Sequence, residues 1–495
     1  MKASSFFGFT RNVAMAHPFV SSYARPVPGV PFAIDLEGRQ VIGSDIWQLK
    51  KAGLINSTFV QLFGPKGCGK SAVQKMWAAF AYMRRGADME RIRIVIHDRK
   101  PEGEASEYAK LAAITGSITF EMGSMQVNPF ERKLFLNQTG GEDVYELGML
   151  DIAKILAEYT DGPLSPLEYY ALRVAMFEML THYDELVWSP EVLQKICGSL
   201  NSSMLAAYHR TLNEKLIVKT TDRLANLQLE VLRTKVEGQI NELKEADHLL
   251  QFSDLIGPAI SVSARLGNLL NGKIGRMFGF KHSLYDIRTQ RAVVKDWRGM
   301  DDDAETLARW IDNNITINAA EMNRKDLLPT VELDDERHKS MRNARYTDSL
   351  LFLTEIARGL EMLNVGSSHW YNSMRPGEEG SESWNKGDLV IRNMGLRVYG
   401  NITNETGYKR EVQEREQIST REVNRMATLP KFCFAAKLQG EDGPMTFFRT
   451  IASQKLIKDI LETDSAVAKM TEKGDLRSDD YLQRYAQANN FTYIG

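Results

Sequence analysis

The sequence predicts an α/β protein with a mostly parallel sheet and an all-α segment inserted into the chain. Three observations predict it. An apolar run leads into a glycine-rich loop and then a helical pattern over 57–86. Compact β-prone runs alternate with helical segments from 291 to 402, the alternation that a parallel sheet requires. Between 137 and 268 the spacing of apolar residues turns helical.

The first element is the most informative. STFVQLF (57–63) is a short apolar, β-branched and aromatic run, and GPKGCGKS (64–71) follows it. Val73, Met76, Trp77, Phe80 and Met83 then recur at helical spacing. Strand, glycine loop, helix is the context of a phosphate-binding P-loop. Gly64, Gly67 and Gly69 accept backbone angles that turn N–H groups inward around a phosphate chain, and the helix N-terminus adds partial positive charge. The expected nucleotide contacts are Gly64, Pro65, Lys66, Gly67, Cys68, Gly69, Lys70, Ser71 and Ala72. Within them Lys70 is expected to reach the β- and γ-phosphates, and the Ser71 hydroxyl to ligate Mg²⁺. The pattern therefore predicts binding of ATP or GTP.

Hydrolysis requires a carboxylate near the metal and an acid to act on water, both carried on the end of a neighbouring strand. RIRIVIHD (91–98) ends in Asp98, and LLPTVELDDE (327–336) ends in Asp334, Asp335 and Glu336. We assign Asp335 to the metal and Glu336 to catalysis through water, and expect Asp334→Asn to do comparatively little. Glu332 and Asp334 interrupt a run that should be apolar on both faces, so an acidic solvated turn is the alternative. Asp98 is secondary: a holder of metal or ribose, or a simple helix cap.

RAVVKDW (291–297), MLNVGSS (362–368) and LRVYGNI (396–402) supply further strands, separated by helical runs at 303–314 and 349–361. Ser367, Ser368 and His369 end one of them and are candidates for a polar sensor of the γ-phosphate, although His369 alone reads more simply as an ordinary loop histidine. In the central segment, Ser165, Pro166 and Glu168 form a capping box before an amphipathic helix. Leu229, Leu232, Val236, Ile240 and Leu243 make one apolar stripe, read as core packing or a lid.

Composition sets the outer bounds. At about 150 residues per domain, 495 residues suggest roughly three domain-sized units, or one large domain carrying an insertion. A hydrophobic fraction of 43% and a charged fraction of 25% exclude an extended disordered or collagenous chain. Lys and Arg total 62 against 64 Asp and Glu, so any polyanion must be met by a local patch. Cys68, Cys197 and Cys433 form no CxxC pair, which points to a reducing cytoplasm and away from a zinc site. We expect no signal peptide and no intrinsic membrane span, and an N-terminal arm over 1–25 with Lys2, Arg11 and Arg25 and no acid.

The order of these features resembles the type IV secretion and conjugative-transfer ATPases, the TraC-like branch of the HerA and FtsK class of RecA-like motors. PVPGVPFAIDLEGRQVIGSD (26–45) is similar to the family's lead-in, and GPKGCGKSA is its Walker A loop. Asp98, Glu107, Tyr108, Gly116, Asn128, Pro129 and Phe130 match a further succession, and GKIGRMF (272–278) before RAVVKDWRGM resembles the segment after the family's helical insertion. The resemblance spans most of 26–450. It implies a RecA-like P-loop NTPase core in two parts, 26–136 and 269–470, around a helical insertion at 137–268, with a tail at 471–495. It further implies an ATP- and Mg²⁺-dependent ATPase, a hexameric homo-oligomer with secretion or conjugation channel proteins as partners, and DNA as a candidate partner. The place would be the cytoplasm, at the inner face of the cell membrane. An arginine from the next subunit would complete the site, with Arg358 and Arg375 as candidates. Two other readings stay open: a translocase acting directly on DNA, and an assembly subunit that binds ATP without turnover.

Overall fold

The computed structural model of the chain describes residues 31–37, 41–88, 92–99, 106–120, 127–131, 142–217, 252–272, 274–279, 283, 292–297, 305–311, 313, 330–356, 362–402, 406–438, 445–451 and 460–461. The arm at 1–25, the tail at 471–495 and the stripe from Leu229 to Leu243 lie outside the described residues. Two compact units are present: Met1–Met122 with Asp286–Gly495, and Gly123–Tyr285.

The first unit is built on one 11-stranded sheet. Its strands are β1 (Pro31–Asp35), β2 (Val41–Gly43), β3 (Phe59–Phe63), β4 (Arg93–Asp98), β5 (Ile118–Phe120), β6 (Ala292–Asp296), β7 (Thr330–Asp334), β8 (Met362–Ser368), β9 (Leu396–Tyr399), β10 (Cys433–Leu438) and β11 (Thr446–Thr450). They lie in the order β2-β1-β11-β10-β9-β3-β8-β7-β4-β6-β5. From β9 to β5 every pairing is parallel, and β10, β11, β1 and β2 extend the sheet antiparallel. The P-loop strand β3 is therefore central, with β9 on one side and β8 and then β7 on the other.

A central parallel strand is covered on both faces, and β3 is buried at every residue. Val60 and Leu62 point into one core with Val73, Met76, Trp77 and Phe80 of the helix Lys70–Asp88. Phe59 and Phe63 point into the other core, with Leu350, Leu353, Met374 and Tyr399. Trp77 stacks on Phe32 at 5.0 Å. Each such large buried side chain contributes about 1.5–3 kcal/mol of transfer free energy.

Strand β7 explains its own interrupted pattern. Val331 and Leu333 join the core with the P-loop helix, while Glu332 and Asp334 alternate onto the opposite face. There they enter a polar layer inside the protein. Glu332 accepts from His97 Nε2 at 3.0 Å and from Asn364 Nδ2 at 2.8 Å. Trp297 Nε1 donates to His97 Nδ1 at 3.2 Å, which fixes the imidazole proton on Nε2, toward Glu332. Burial, and then the charge of Arg309, hold the His97 pKa below its ordinary value and so keep the ring neutral.

The second unit is helical among its described residues: Glu142–Asp161, Pro166–His182, Pro190–Gly198, Ser202–Ile217, Phe252–Asn271 and Gly275–Phe278. The expected capping box is present, with Glu168 N–H donating to Ser165 Oγ at 3.3 Å and Ser165 N–H to Glu168 Oε2 at 2.8 Å. Its span, 123–285, is wider than the 137–268 expected from the sequence. The base of the unit closes on itself: Val127 N–H donates to Met277 O at 2.8 Å, Asn128 N–H to Ser283 Oγ at 3.0 Å and Asn128 Nδ2 to Trp188 O at 2.7 Å. Asn128, Pro129 and Phe130 thus belong by contact to the helical unit. Among the described residues no helix is long and apolar enough to cross a membrane.

Candidate functional site

The glycine loop leaves the carboxyl end of β3 and enters the helix Lys70–Asp88. Gly64, Gly67 and Gly69 have φ of 152°, 84° and 108°. Gly69 is also required by crowding, because a Cβ there would lie 2.6 Å from Phe432 Cδ1. Gly64 N–H bonds to Ser368 O and His369 O at 3.3 and 3.2 Å, tying the loop to the end of β8. Lys70 Nζ donates to Gly64 O at 2.7 Å and Pro65 O at 3.0 Å, so its ammonium is held over the loop. Cys68 is buried against Gly64 and Gly400 and serves packing.

A cleft of about 440 Å³ opens above this loop. Lys66, Gly67, Gly69, Lys70, Ser71 and Ala72 form its floor; Asp335, Glu336, Ser367, Ser368 and His369 line it from β7 and β8. Glu107, His338, Lys339, Lys431, Phe432 and Leu461 complete the wall. Of the expected loop contacts, Gly64, Pro65 and Cys68 stay out of the lining and support it from behind.

The three consecutive acids have three different surroundings. Asp334 turns away from the cleft, fully buried between Arg309 and Arg337, with Arg337 Nε at 2.8 Å and the Tyr346 hydroxyl at 3.2 Å. Burial pushes its carboxyl up, but the two guanidinium charges outweigh that and hold it far below the usual carboxylate range. This corrects two expectations. Asp334 is no bystander on a solvated turn, because neutralising it leaves two buried cations short of their counter-charge.

Asp335 faces the cleft and accepts from Ser367 Oγ at 2.6 Å. Glu336 takes a left-handed backbone, φ 52°, and its N–H donates back to the same Ser367 Oγ at 3.1 Å. One hydroxyl therefore fixes both acids. The Glu336 carboxylate is bonded to Lys339 and lies 3.7 Å from His369 Nε2. The nearby His369 first, then the Lys339 ammonium, hold it well below the usual carboxylate range despite partial burial. So low a pKa suits a group that orients and polarises water and disfavours one that keeps a proton. Burial, and then the neighbouring His369 ring at 5.3 Å, push the His338 pKa down to about 4.

Gln74 links loop and acids. Its Nε2 donates to Val365 O at 3.0 Å and Asp334 O at 3.4 Å, and its Oε1 accepts from the Tyr108 hydroxyl at 3.1 Å. The sequence signal was there: a polar residue at a core-facing helical position beside Val73 and Trp77. No such signal marks Arg309, Arg337 or Phe432, which arrive from distant segments.

Other expectations are revised. Asp98 is buried and accepts from Ser106 Oγ and, at 3.0 Å, from Glu107 N–H, so it holds the turn before the helix Ala109–Thr115 and does not line the cleft. Arg375 is buried, paired with Glu411 and Asp388, and sandwiched over Tyr371 and Trp384 at 4.8 and 4.5 Å. Its guanidinium is engaged within its own chain. Arg358 lies outside the described residues.

The donor set suits a magnesium-bound nucleotide. The Lys70 ammonium over a glycine loop at a helix start matches phosphates, and the Ser71 hydroxyl and Asp335 offer hard oxygen ligands in one cleft. Among the described residues no group of three or more His, Cys, Asp and Glu is placed to hold a metal ion alone. Mg²⁺ needs none, since one or two protein oxygens suffice when phosphates supply more.

The solved structure of VirB4 of Thermoanaerobacter pseudethanolicus superposes on 86% of this chain and 97% of its own, with a TM-score of 0.56 at 14% identity. This chain has the RecA-like P-loop NTPase fold. The unbound bacterial conjugative coupling protein TrwB aligns more loosely, over 89% of this chain and 97% of its own at a TM-score of 0.46 and 11% identity. No protein-family model matches the sequence, and no curated protein does.

Proposed function

We propose that this chain is an ATP-hydrolysing motor that energises macromolecular transfer, of DNA or protein, through a type IV secretion or conjugation apparatus. The observation that carries it is the meeting of Lys70, Ser71, Asp335 and Glu336 in one cleft at the carboxyl edge of a parallel sheet. The order of motifs along the chain supports the choice among P-loop motors, and the fold shared with VirB4 fits it.

In this reading Gly67, Gly69 and Lys70 hold the phosphate chain, and Lys70 leaves its two carbonyl partners to neutralise the β- and γ-oxygens. Ser71 and Asp335 hold Mg²⁺, which when bound supplies charge neutralisation at the transferring phosphoryl group. Ser367 keeps Asp335 toward the metal and Glu336 toward the attacking water. Glu336 polarises that water for in-line attack. The chain works as a homo-oligomer, a hexameric ring, with channel proteins as partners, in the cytoplasm at the inner face of the membrane. The helical unit is an insertion in the motor core.

Phosphate release by the purified chain, with Mg²⁺-ATP and with or without DNA, tests this. Magnesium-dependent release that is lost in Lys70→Ala is expected. Release stimulated by DNA and falling steeply with salt would point to a translocase acting on DNA itself. Tight ATP binding without release would make the chain a nucleotide-gated assembly subunit.

A further inference from the structure

Phe432 is an oddity that phosphate chemistry does not use. It is a bulky residue with φ of 65°, a backbone conformation that such side chains rarely adopt. It is also one of the large hydrophobic side chains left exposed, at 38%. The backbone around it holds it there: Phe432 N–H donates to Cys68 O at 3.2 Å, and Thr450 N–H donates to Phe432 O at 3.0 Å. The ring thus rides on the glycine loop, against Gly69, with Lys431 Nζ 5.1 Å from its centroid, and it lines the cleft.

Its place in the sheet is informative. Phe432 immediately precedes β10, whose Ala435 pairs with Tyr399 at the carboxyl end of β9. It stands two strands from β3 on one side of the loop, and Asp335 and Glu336 stand two strands away on the other. If the terminal phosphate lies by the acids, a nucleotide crossing the loop brings its nucleoside out at Phe432.

We infer that Phe432, steadied by Lys431, is the stacking platform for the base of the bound nucleotide. The inference rests on the nucleotide-binding reading above. Aromatic stacking supplies affinity for any base through its π-face. A strained, exposed aromatic fixed to the phosphate loop has a purpose there that core packing cannot give it.

Calorimetry with Mg²⁺-ATP and with inorganic tripolyphosphate tests this. The wild-type chain binds both. Phe432→Ala is expected to weaken ATP about tenfold and leave tripolyphosphate unchanged, and Phe432→Trp to restore ATP affinity. ATP binding unchanged in Phe432→Ala, equal loss of both ligands, or no rescue by Trp overturns the inference while leaving the P-loop reading standing. A wild-type chain that binds neither ligand overturns both.

Discussion

The glycine loop at 64–71 and the acidic turn at 334–336 both send residues into the same cleft, yet they are built differently. In the function proposed, the loop acts through backbone N–H groups and Lys70, and its shape follows from three glycines between a buried strand and a helix. The turn carries carboxylates whose surroundings come largely from other segments: Arg309 and Arg337 for Asp334, Ser367 for Asp335, Lys339 and His369 for Glu336. The loop is thus a local device. At the turn, partners distant in the chain decide which of three adjacent acids acts in the cleft and which one holds the sheet together.

The largest expected effect is on the loop side. Lys70→Ala removes the ammonium held over the loop carbonyls and should lower turnover by about a thousandfold, with a melting temperature close to wild type. Phosphate release and thermal unfolding, measured together, check it. A stable variant with full activity would mean the two regions do not share one substrate.

On the acidic side the same chemical change should have opposite consequences at neighbouring positions. Asp334→Asn takes from Arg337 its paired carboxylate and leaves Arg309 with Glu305 alone inside the protein, and should cost about 3 kcal/mol of stability or more. Asp335→Asn should unfold near the wild-type denaturant midpoint but lose magnesium-dependent nucleotide binding. Denaturant titration and nucleotide binding with and without Mg²⁺ separate them. If the two variants behave alike, the assignment of separate roles is wrong.

A smaller effect concerns acid. The pKa of His338 in the folded chain is about 4, below the ordinary value of about 6.5, so the unfolded chain takes up its proton first as pH falls. Its contribution to stability is complete above pH 6.5 and is lost between about 6.5 and 4. His338→Gln should flatten that part of the stability profile, leaving the loop untouched. Melting temperature across this range is the measurement.

The contrast also explains what could be read from the sequence. Strand, loop and helix at 59–88 were legible because apolar periodicity and glycine placement are written in adjacent residues. The parallel strands β4, β6, β7, β8 and β9 were legible for the same reason, while the three-residue β5 is too short to show a pattern. Asp335 and Glu336 could be nominated, since acids ending a β-prone run are a local pattern. That Asp334 holds the interior was not legible, because its partner Arg309 comes from a helical segment 25 residues earlier whose apolar spacing gives no hint of a buried guanidinium. Arg375 looked available for the opposite reason: the sequence does not show Tyr371, Trp384, Asp388 and Glu411 closing around it. Phe432 lies 363 residues from Gly69, and nothing in PKFCF announces that its ring meets the phosphate loop.

Glu336→Gln gives the most direct test of the central claim, that loop and turn form one hydrolytic site. The substitution keeps the size of the side chain and the Ser367 hydrogen bond to the backbone while removing the charge directed at water. In a single-turnover experiment, Mg²⁺-ATP should bind with near wild-type affinity and remain uncleaved, with phosphate release slowed about a hundredfold or more. Cleavage at the wild-type rate would contradict the account, and the water-activating group would have to be sought elsewhere in the cleft.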